Sequence, residues 1–376
     1  MDFMNLNQSA HGDREHGFIG TRMRLARKVI TGYWQDKKPL EELGAWMRAA
    51  AGYRFSRRLR VMRFGDNMRD VAVTEGDKVE AQIKFGWQVN TWPVGCLTEE
   101  MALVPGAEID AKMEEYRVRY ALQTGDIDAV RYQAHMETAM RRLFARERIG
   151  AFTNTFQDLY GLKQLAGLAS QNLMADGYGY GAEGDWKTAA MTAVVKYMSG
   201  GMDCGVSFIE DYTYNFDAGR EYTLGAHMLE ICPSISADIP RVEVHPLGIG
   251  DREDPARLVF EGRAGSAVLV SLVDMGGRLR MILQDIECVK PLHGMRKLPV
   301  ARVMWKTAPD IYTGTKLWIL AGGAHHSVLS YGAGPDMLID FAEIAGIEAV
   351  HLTKETTVEG LRQLLFVNDL AWKLKC

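Results

Sequence analysis

The hydrophobic texture of the chain changes near residue 203, and that change limits the fold more than any single motif. After it come short apolar runs separated by polar or glycine turns: VSFIEDYTYNF (206–216), YTLGAHMLEI (222–231), RVEVHPLGI (241–249), ARLVF (256–260), SAVLVSLVD (266–274), LRMILQDIE (279–287), VARVMW (300–305) and LWILAGG (317–323). Such a close succession of strands predicts a mostly antiparallel sheet or barrel. A helix over 358–366 closes the chain.

Before the change, strands and helices mix. PLEELGAWMRAA (39–50) predicts an amphipathic helix, RRLRVMRFGDN a strand at Leu59–Met62 ending in a turn, and VEAQIKFGW from Val79 another strand. Ile109, Met113, Tyr116 and Tyr120 recur at helical spacing, as do Ile127, Val130, Ala134, Met140, Leu143 and Phe144, with Asp126 placed to cap the second helix. Residues 158–175 read as a further helix, and WKTAAMTAVVKYMS (186–199) as a buried one stopped by Gly200-Gly201. Boundaries near 58 and 203 divide the chain into 1–58, 59–203 and 204–376.

With 376 residues there is room for two or three domains and a large core, so no metal or disulfide is needed merely to fold. A net charge of −4 leaves no electrostatic footprint for nucleic acid or an anionic membrane. No apolar run is long enough to span a bilayer, and residues 1–25 do not read as a signal peptide. Five cysteines, at 96, 204, 232, 288 and 376, form no C-x-x-C pair, which fits free thiols in a reducing cytoplasm.

Candidate chemistry gathers at strand ends and turns. In AEGDWKT, Asp185 is a natural cap for the helix starting at Trp186, whereas Glu183 is free of that duty and sits beside Gly184. Glu210 and Asp211 end an apolar strand, where a solvated pair is the commoner outcome. His227 lies in an apolar strand, where a satisfied core imidazole is the plainer reading. His325 and His326 follow a strand in a glycine-rich turn; neighbouring strand residues point oppositely, so one of the two is expected at any shared site. Two carboxylates and two imidazoles without thiolate form a ligand set better suited to Mn²⁺, or to Co²⁺ and Fe²⁺, than to structural Zn²⁺.

Longer strings carry a family resemblance. MDFMNLNQSAHGDREHGFIG, FGDNMRDVAVTEGDKVEAQIKFG, VNTWPVG, AEGDWKTAA, SFIEDYTY, GAHMLEICPSI, HPLGIG, EDPARLVF, KLPVARVMWK and WILAGGAHHS, in that order, resemble L-arabinose isomerases from residue 1 to about 370. Asp251 stands where the family usually has Gly, and Cys96 where Asp is common. The resemblance implies a fucose-isomerase-like middle α/β domain with a parallel sheet, and a C-terminal, mostly antiparallel, barrel-like domain. It also implies that residues 1–58 are the remnant of an N-terminal α/β domain, most of which is missing. It assigns metal ligation to Glu183, Glu210, His227 and His326, and so chooses His326 over His325. Met68 and Phe156 match substrate-pocket positions, and Gln8 and His11 match positions that reach a neighbouring subunit's site in the family's hexamer.

The implied activity interconverts L-arabinose and L-ribulose through a cis-enediol, with D-galactose as a second candidate substrate. Glu183 and Glu210 form the acid/base pair, and the cofactor is Mn²⁺ with Co²⁺ as substitute. Two other readings compete. One is a truncated sugar-binding remnant without turnover. The other, from the residues alone, is a metal hydrolase, for which no leaving-group pocket is evident.

Overall fold

The computed structural model describes residues 10–202, 204–291, 294–295 and 297–374. The chain forms two compact units, Met1–Met47 and Arg48–Cys376. In the first lies helix α1 (Ala10–Arg22), and helix α2 (Lys37–Ser56) begins there. Arg27 ties this unit locally, donating to the Gly17 carbonyl at 2.8 Å and the Thr21 hydroxyl at 2.7 Å.

The second unit opens with alternating elements: β1 (Arg60–Phe64), α3 (Lys78–Phe85), β2 (Gln88–Trp92), α4 (Gly95–Met101), α5 (Gly106–Arg119), β3 (Ala121–Leu122), α6 (Ile127–Glu147), β4 (Ala151–Thr153), α7 (Leu168–Ala175), β5 (Gly179–Gly181) and α8 (Trp186–Met198). Strands β2-β1-β4-β5 form an all-parallel sheet. Helix α8 is almost wholly buried, as its apolar composition requires. It lies directly on β5: a Cβ at Gly179 would fall 2.1 Å from the Ala189 carbonyl oxygen. Only glycine permits that approach.

Then come β6 (Val206–Asn215), β7 (Tyr222–Ala226), β8 (Arg241–Val244), β9 (Ala256–Val259), β10 (Gly265–Asp274), β11 (Leu279–Val289), β12 (Arg302–Thr307), α9 (Ile311–Ala321), β13 (His326–Ser330), α10 (Pro335–Ala345), β14 (Glu348–Leu352) and α11 (Val358–Leu374). Seven strands pair in the order β10-β13-β6-β7-β12-β11-β14, with β10 and β11 also paired. The expectation of a mostly antiparallel arrangement is borne out, since only the β11–β14 pairing is parallel; the barrel is corrected to a large mixed sheet that is not a simple closed barrel. The reason lies in β11, whose edge is shared: residues 286–289 pair antiparallel with β12, while 280–284 pair parallel with β14. A three-stranded sheet, β3-β8-β9, completes the unit.

Two apolar runs expected as strands are helices. Residues from Val79 form α3 because Asp77 accepts from the amides of Val79 and Glu80, and Gly86 closes the helix at φ 81°. LWILAGG is the end of α9, capped by Asp310 and stopped by Gly322 at φ 87°. A short apolar run does not distinguish buried helix from buried strand, and the caps decide. Of the helix expected at 158–175, only 168–175 is helical.

A buried ionic network joins α5, α6 and α7. Glu137, fully buried, meets Lys112 at 3.1 Å, Arg141 at 2.7 Å and the Asn172 amide at 2.7 Å, and accepts from the Tyr116 hydroxyl. Beside it, Glu115 contacts Lys112 and Arg119. Burial pushes the Glu115 carboxyl up, but hydrogen bonds from Lys112, Arg119 and Asn172 outweigh it and bring it down to about 2. A depressed carboxylate adds stability above its ordinary value near 4.5, and that stability is lost as pH falls toward 2. Glu115→Gln should therefore melt lower than the parent at pH 7, with the gap closing between pH 4.5 and 2 in thermal scans. A gap constant with pH would refute this.

Candidate metal centre

The site forms where the two larger sheets meet. At the C-terminal ends of the parallel strands the chain turns through Met68 after β1, Phe156 after β4 and Glu183 after β5, the end at which open α/β sheets carry their chemistry. From the mixed sheet, His326 at the start of β13 pairs in register with Glu210 on β6, and Glu210 with Ala226 at the end of β7. His227 follows immediately. A bulge between Asp211 and Thr213 bends β6 beside Glu210, as bulges commonly do next to functional side chains.

Glu183 is held in an unusual conformation. Its φ is 60°, a left-handed geometry that costs a non-glycine residue roughly 1 kcal/mol or more. Gly184 follows at φ 84°, and a Cβ there would lie 2.4 Å from the Asn67 Cα and 2.6 Å from the Asp66 carbonyl oxygen. The turn is also locked by the Met68 amide, which donates to the Glu183 carbonyl at 2.8 Å, and by the Gly184 amide, which donates to the Asn154 carbonyl at 2.9 Å. Three loops thus set the direction of one carboxylate.

That carboxylate faces two imidazoles. Glu183 Oε2 lies 3.6 Å from Nε2 of His325 and 3.6 Å from Nε2 of His326. The expectation that one of the adjacent histidines would turn away is thus corrected. His326 begins β13 while His325 still belongs to the preceding turn, so strict strand alternation does not apply to the pair. Ligand atoms of Glu183, His325 and His326 lie within 4.8 Å of one another, a grouping able to hold a metal ion. Glu210 Oε2 is 3.9 Å from His227 Nε2, and the His227 and His326 rings are 6.1 Å apart. The four expected ligands therefore stand as two neighbouring carboxylate–imidazole pairs.

Each buried imidazole is oriented from behind. His227 Nδ1 is 2.6 Å from Glu230 Oε2, and His326 Nδ1 is 3.2 Å from Asp185 Oδ2. A carboxylate on Nδ1 keeps that nitrogen the donor and turns the Nε2 lone pair toward the site. Burial disfavours a charged His227, but Glu230 more than compensates and raises its pKa. For His326 burial dominates over Asp185, and its pKa is lowered toward a neutral ring. His326 is fully buried, and its Nε2 has no hydrogen-bond partner among the described residues. An orphaned buried acceptor is costly unless something fills it, and a cation within reach of Glu183 fits that need. Burial raises the Glu183 carboxyl, yet the three nearby imidazoles hold it below its ordinary value. Asp211 is pushed up to about 7 by burial and by neighbouring Glu210.

Asp185 does two jobs. It caps α8, accepting from the amides of Lys187 and Thr188 at 3.1 Å each, and it reaches His326. Lys187, buried, lies 3.4 Å from Asp185 and donates to the carbonyls of Val73 and Glu75. Phe156 stacks 5.8 Å from the His227 ring, and Phe208 stands edge-on to both His227 and His326. Met68 is half-buried beside Glu183. His11 is exposed on α1, and Gln8 lies outside the described residues. Sequence reasoning missed Glu230, and it considered His325 but set it aside in favour of His326. Their signals were present, an acid three residues after His227 and a doublet of histidines, but neither has a distinctive spacing.

Three family models cover the chain: the L-arabinose isomerase N-terminal domain over residues 1–58, the central domain over 60–201 and the C-terminal domain over 205–348. This chain belongs to the L-arabinose isomerase family. It is 52% identical to L-arabinose isomerase 1 of Bacillus licheniformis, over 100% of this chain and 76% of the relative. It is 52% identical to the L-arabinose isomerase of Geobacillus kaustophilus, over 99% of this chain and 76% of that protein. The Thermotoga neapolitana enzyme is 50% identical, with 100% and 76% covered. The N-terminal family model matches residues 1–58, the segment expected to belong to that domain, and the chain spans about three quarters of the length of these relatives.

Gly184→Ala tests how tightly the Glu183 turn is held. The added methyl meets backbone rather than a yielding side chain, so a loss of at least about 1 kcal/mol is expected. Urea denaturation would measure it, and an unchanged midpoint would show that the turn relaxes freely.

Proposed function

We propose that the chain interconverts L-arabinose and L-ribulose at a Mn²⁺-type centre held by Glu183, Glu210, His227 and His326. The observation that carries this reading is the buried, unpartnered Nε2 of His326. It is aimed at Glu183, while Asp185 holds the opposite ring nitrogen.

In an aldose–ketose exchange a proton leaves C2 and arrives at C1 through a cis-enediol. A bound divalent cation would polarise the substrate carbonyl and offset the negative charge that develops on oxygen. The remaining work falls to the chain. Glu183 and Glu210 approach from different sheets, and both are partly exposed. That placement suits one as base and the other as acid on opposite sides of the C1–C2 unit. Glu230 and Asp185 fix the imidazole tautomers, so the rings do not compete for the moving proton. Phe156, Phe208 and Met68 supply apolar surface that limits sugar size and sheds water.

Co²⁺ would substitute for Mn²⁺, because hard oxygen and imidazole donors do not select strongly between them. D-Galactose is a second candidate substrate. Gln8 and His11 would contribute to a neighbouring subunit's pocket in a hexamer. Among the described residues no helix is long and apolar enough to cross a membrane, and a cytoplasmic location accords with the four described cysteines being free. An N-terminal, a middle and a C-terminal domain would meet near residues 58 and 203.

A ketose-forming assay on L-arabinose with Mn²⁺ tests the reading. Turnover is expected, and Glu210→Gln should lower it by at least about 10²-fold, the usual loss of a general acid or base. Tight binding of L-arabinitol without turnover would instead support a sugar-binding remnant. Asp185→Asn keeps a capping side chain but loses the carboxylate on His326. Mn²⁺ affinity by calorimetry should then fall about 10- to 100-fold. Undiminished affinity would remove Asp185 from the site.

A further inference from the structure

The opposite end of the parallel sheet carries a cavity that the isomerisation leaves unused. It measures about 490 Å³, within the usual range for small-molecule sites, and lies at the N-terminal ends of β1, β4 and β5. Arg54, Arg58, Arg60 and Arg148 all line it, and no carboxylate is among its described lining residues. Arg60 donates to the Glu147 carbonyl at 3.1 Å. The side chains of Arg54, Arg58 and Arg148 have no hydrogen-bond or ion-pair partner among the described residues.

Helix dipoles explain only part of this charge. Helices α2, α6 and α8 end beside the cavity, and each C-terminus is equivalent to roughly half a negative charge. Arg48, outside the cavity, already takes the Met198 and Gly200 carbonyls at the end of α8. Four guanidiniums exceed what remains, in a chain whose net charge is −4. All four arginines are exposed along the cavity wall; like charges lining one cavity without a counter-charge repel one another, and a phosphate meets guanidiniums with the planar, bidentate geometry that arginine favours. The cavity also has an aromatic wall. Phe55 and Tyr197 stack at 4.4 Å and 10°, with Tyr197 still 51% exposed, and Tyr178 lies beside them.

We propose that this cavity binds a small phosphate monoester bearing a flat ring, of the nucleoside monophosphate class: the phosphate on the arginines and the ring against Tyr197. The site is separate from the Glu183 centre, since it sits at the other end of the same strands. The test is calorimetry on the full chain at low salt with three probes: AMP, inorganic phosphate and adenosine. AMP should bind saturably and at least tenfold more tightly than phosphate, and adenosine should show no binding. Arg54→Gln combined with Arg58→Gln should weaken AMP at least tenfold with the melting temperature unchanged, and Tyr197→Leu should narrow the gap between AMP and phosphate. Absence of saturable AMP binding overturns the proposal, as does equal affinity for AMP and phosphate or for AMP and adenosine. A change of oligomeric state in the double variant, by sedimentation, also overturns it and assigns the arginine face to a second copy of the chain.

Discussion

The seating of α8 on β5 is the constraint from which the rest of the site follows. Two glycine-bearing positions let helix backbone meet strand backbone with no side chain between them. The chain then has only Ala182–Asp185 in which to reverse from strand to helix. A turn that short forces Glu183 into a left-handed conformation and leaves Asp185 at the helix N-terminus. Both carboxylates therefore emerge on the side facing β13. Backbone contact is stiffer than side-chain contact, so the direction of Glu183 depends little on how its neighbours pack.

The second sheet answers with its own register. His326 and Glu210 are cross-strand partners, so their side chains leave the sheet on the same face, and β7 delivers His227 one residue beyond Glu210's other partner. A slip of one residue in β6 would send Glu210 to the other face. Phe208 and Ile209 are fully buried on opposite faces, so the shape of their packing, rather than a polar face, holds the register. Ordinary core packing thus sets the spacing of polar groups that take no part in the core.

Much of this was legible in the sequence. The texture change near residue 203 separates the parallel sheet from the large mixed one, and caps such as Asp126 and Asp185 were readable from residue type. What escaped was long-range. The parallel β14 joins β11 only because a second helix, α10, returns the chain, and nothing local announces that pairing. The 79–87 and 317–323 runs were misread because apolar content was visible while the competition between cap and pleat was not. Among site residues, Glu183, Glu210 and the buried histidines carry recognisable surroundings. Glu230 looks like any strand-end acid until its carboxylate is seen behind His227.

The division of the site between two sheets gives it a mechanical meaning. Glu183 belongs to one layer, while Glu210, His227 and His326 belong to the other. Any ion gripping both sets of donors would be a rivet through the seam, opposing every fluctuation that parts the layers. Its binding free energy would then be spent mainly on holding the layers together. Along that seam, rigidity and reactivity would rise and fall together, and conditions that strip the rivet would loosen the molecule first between the two layers.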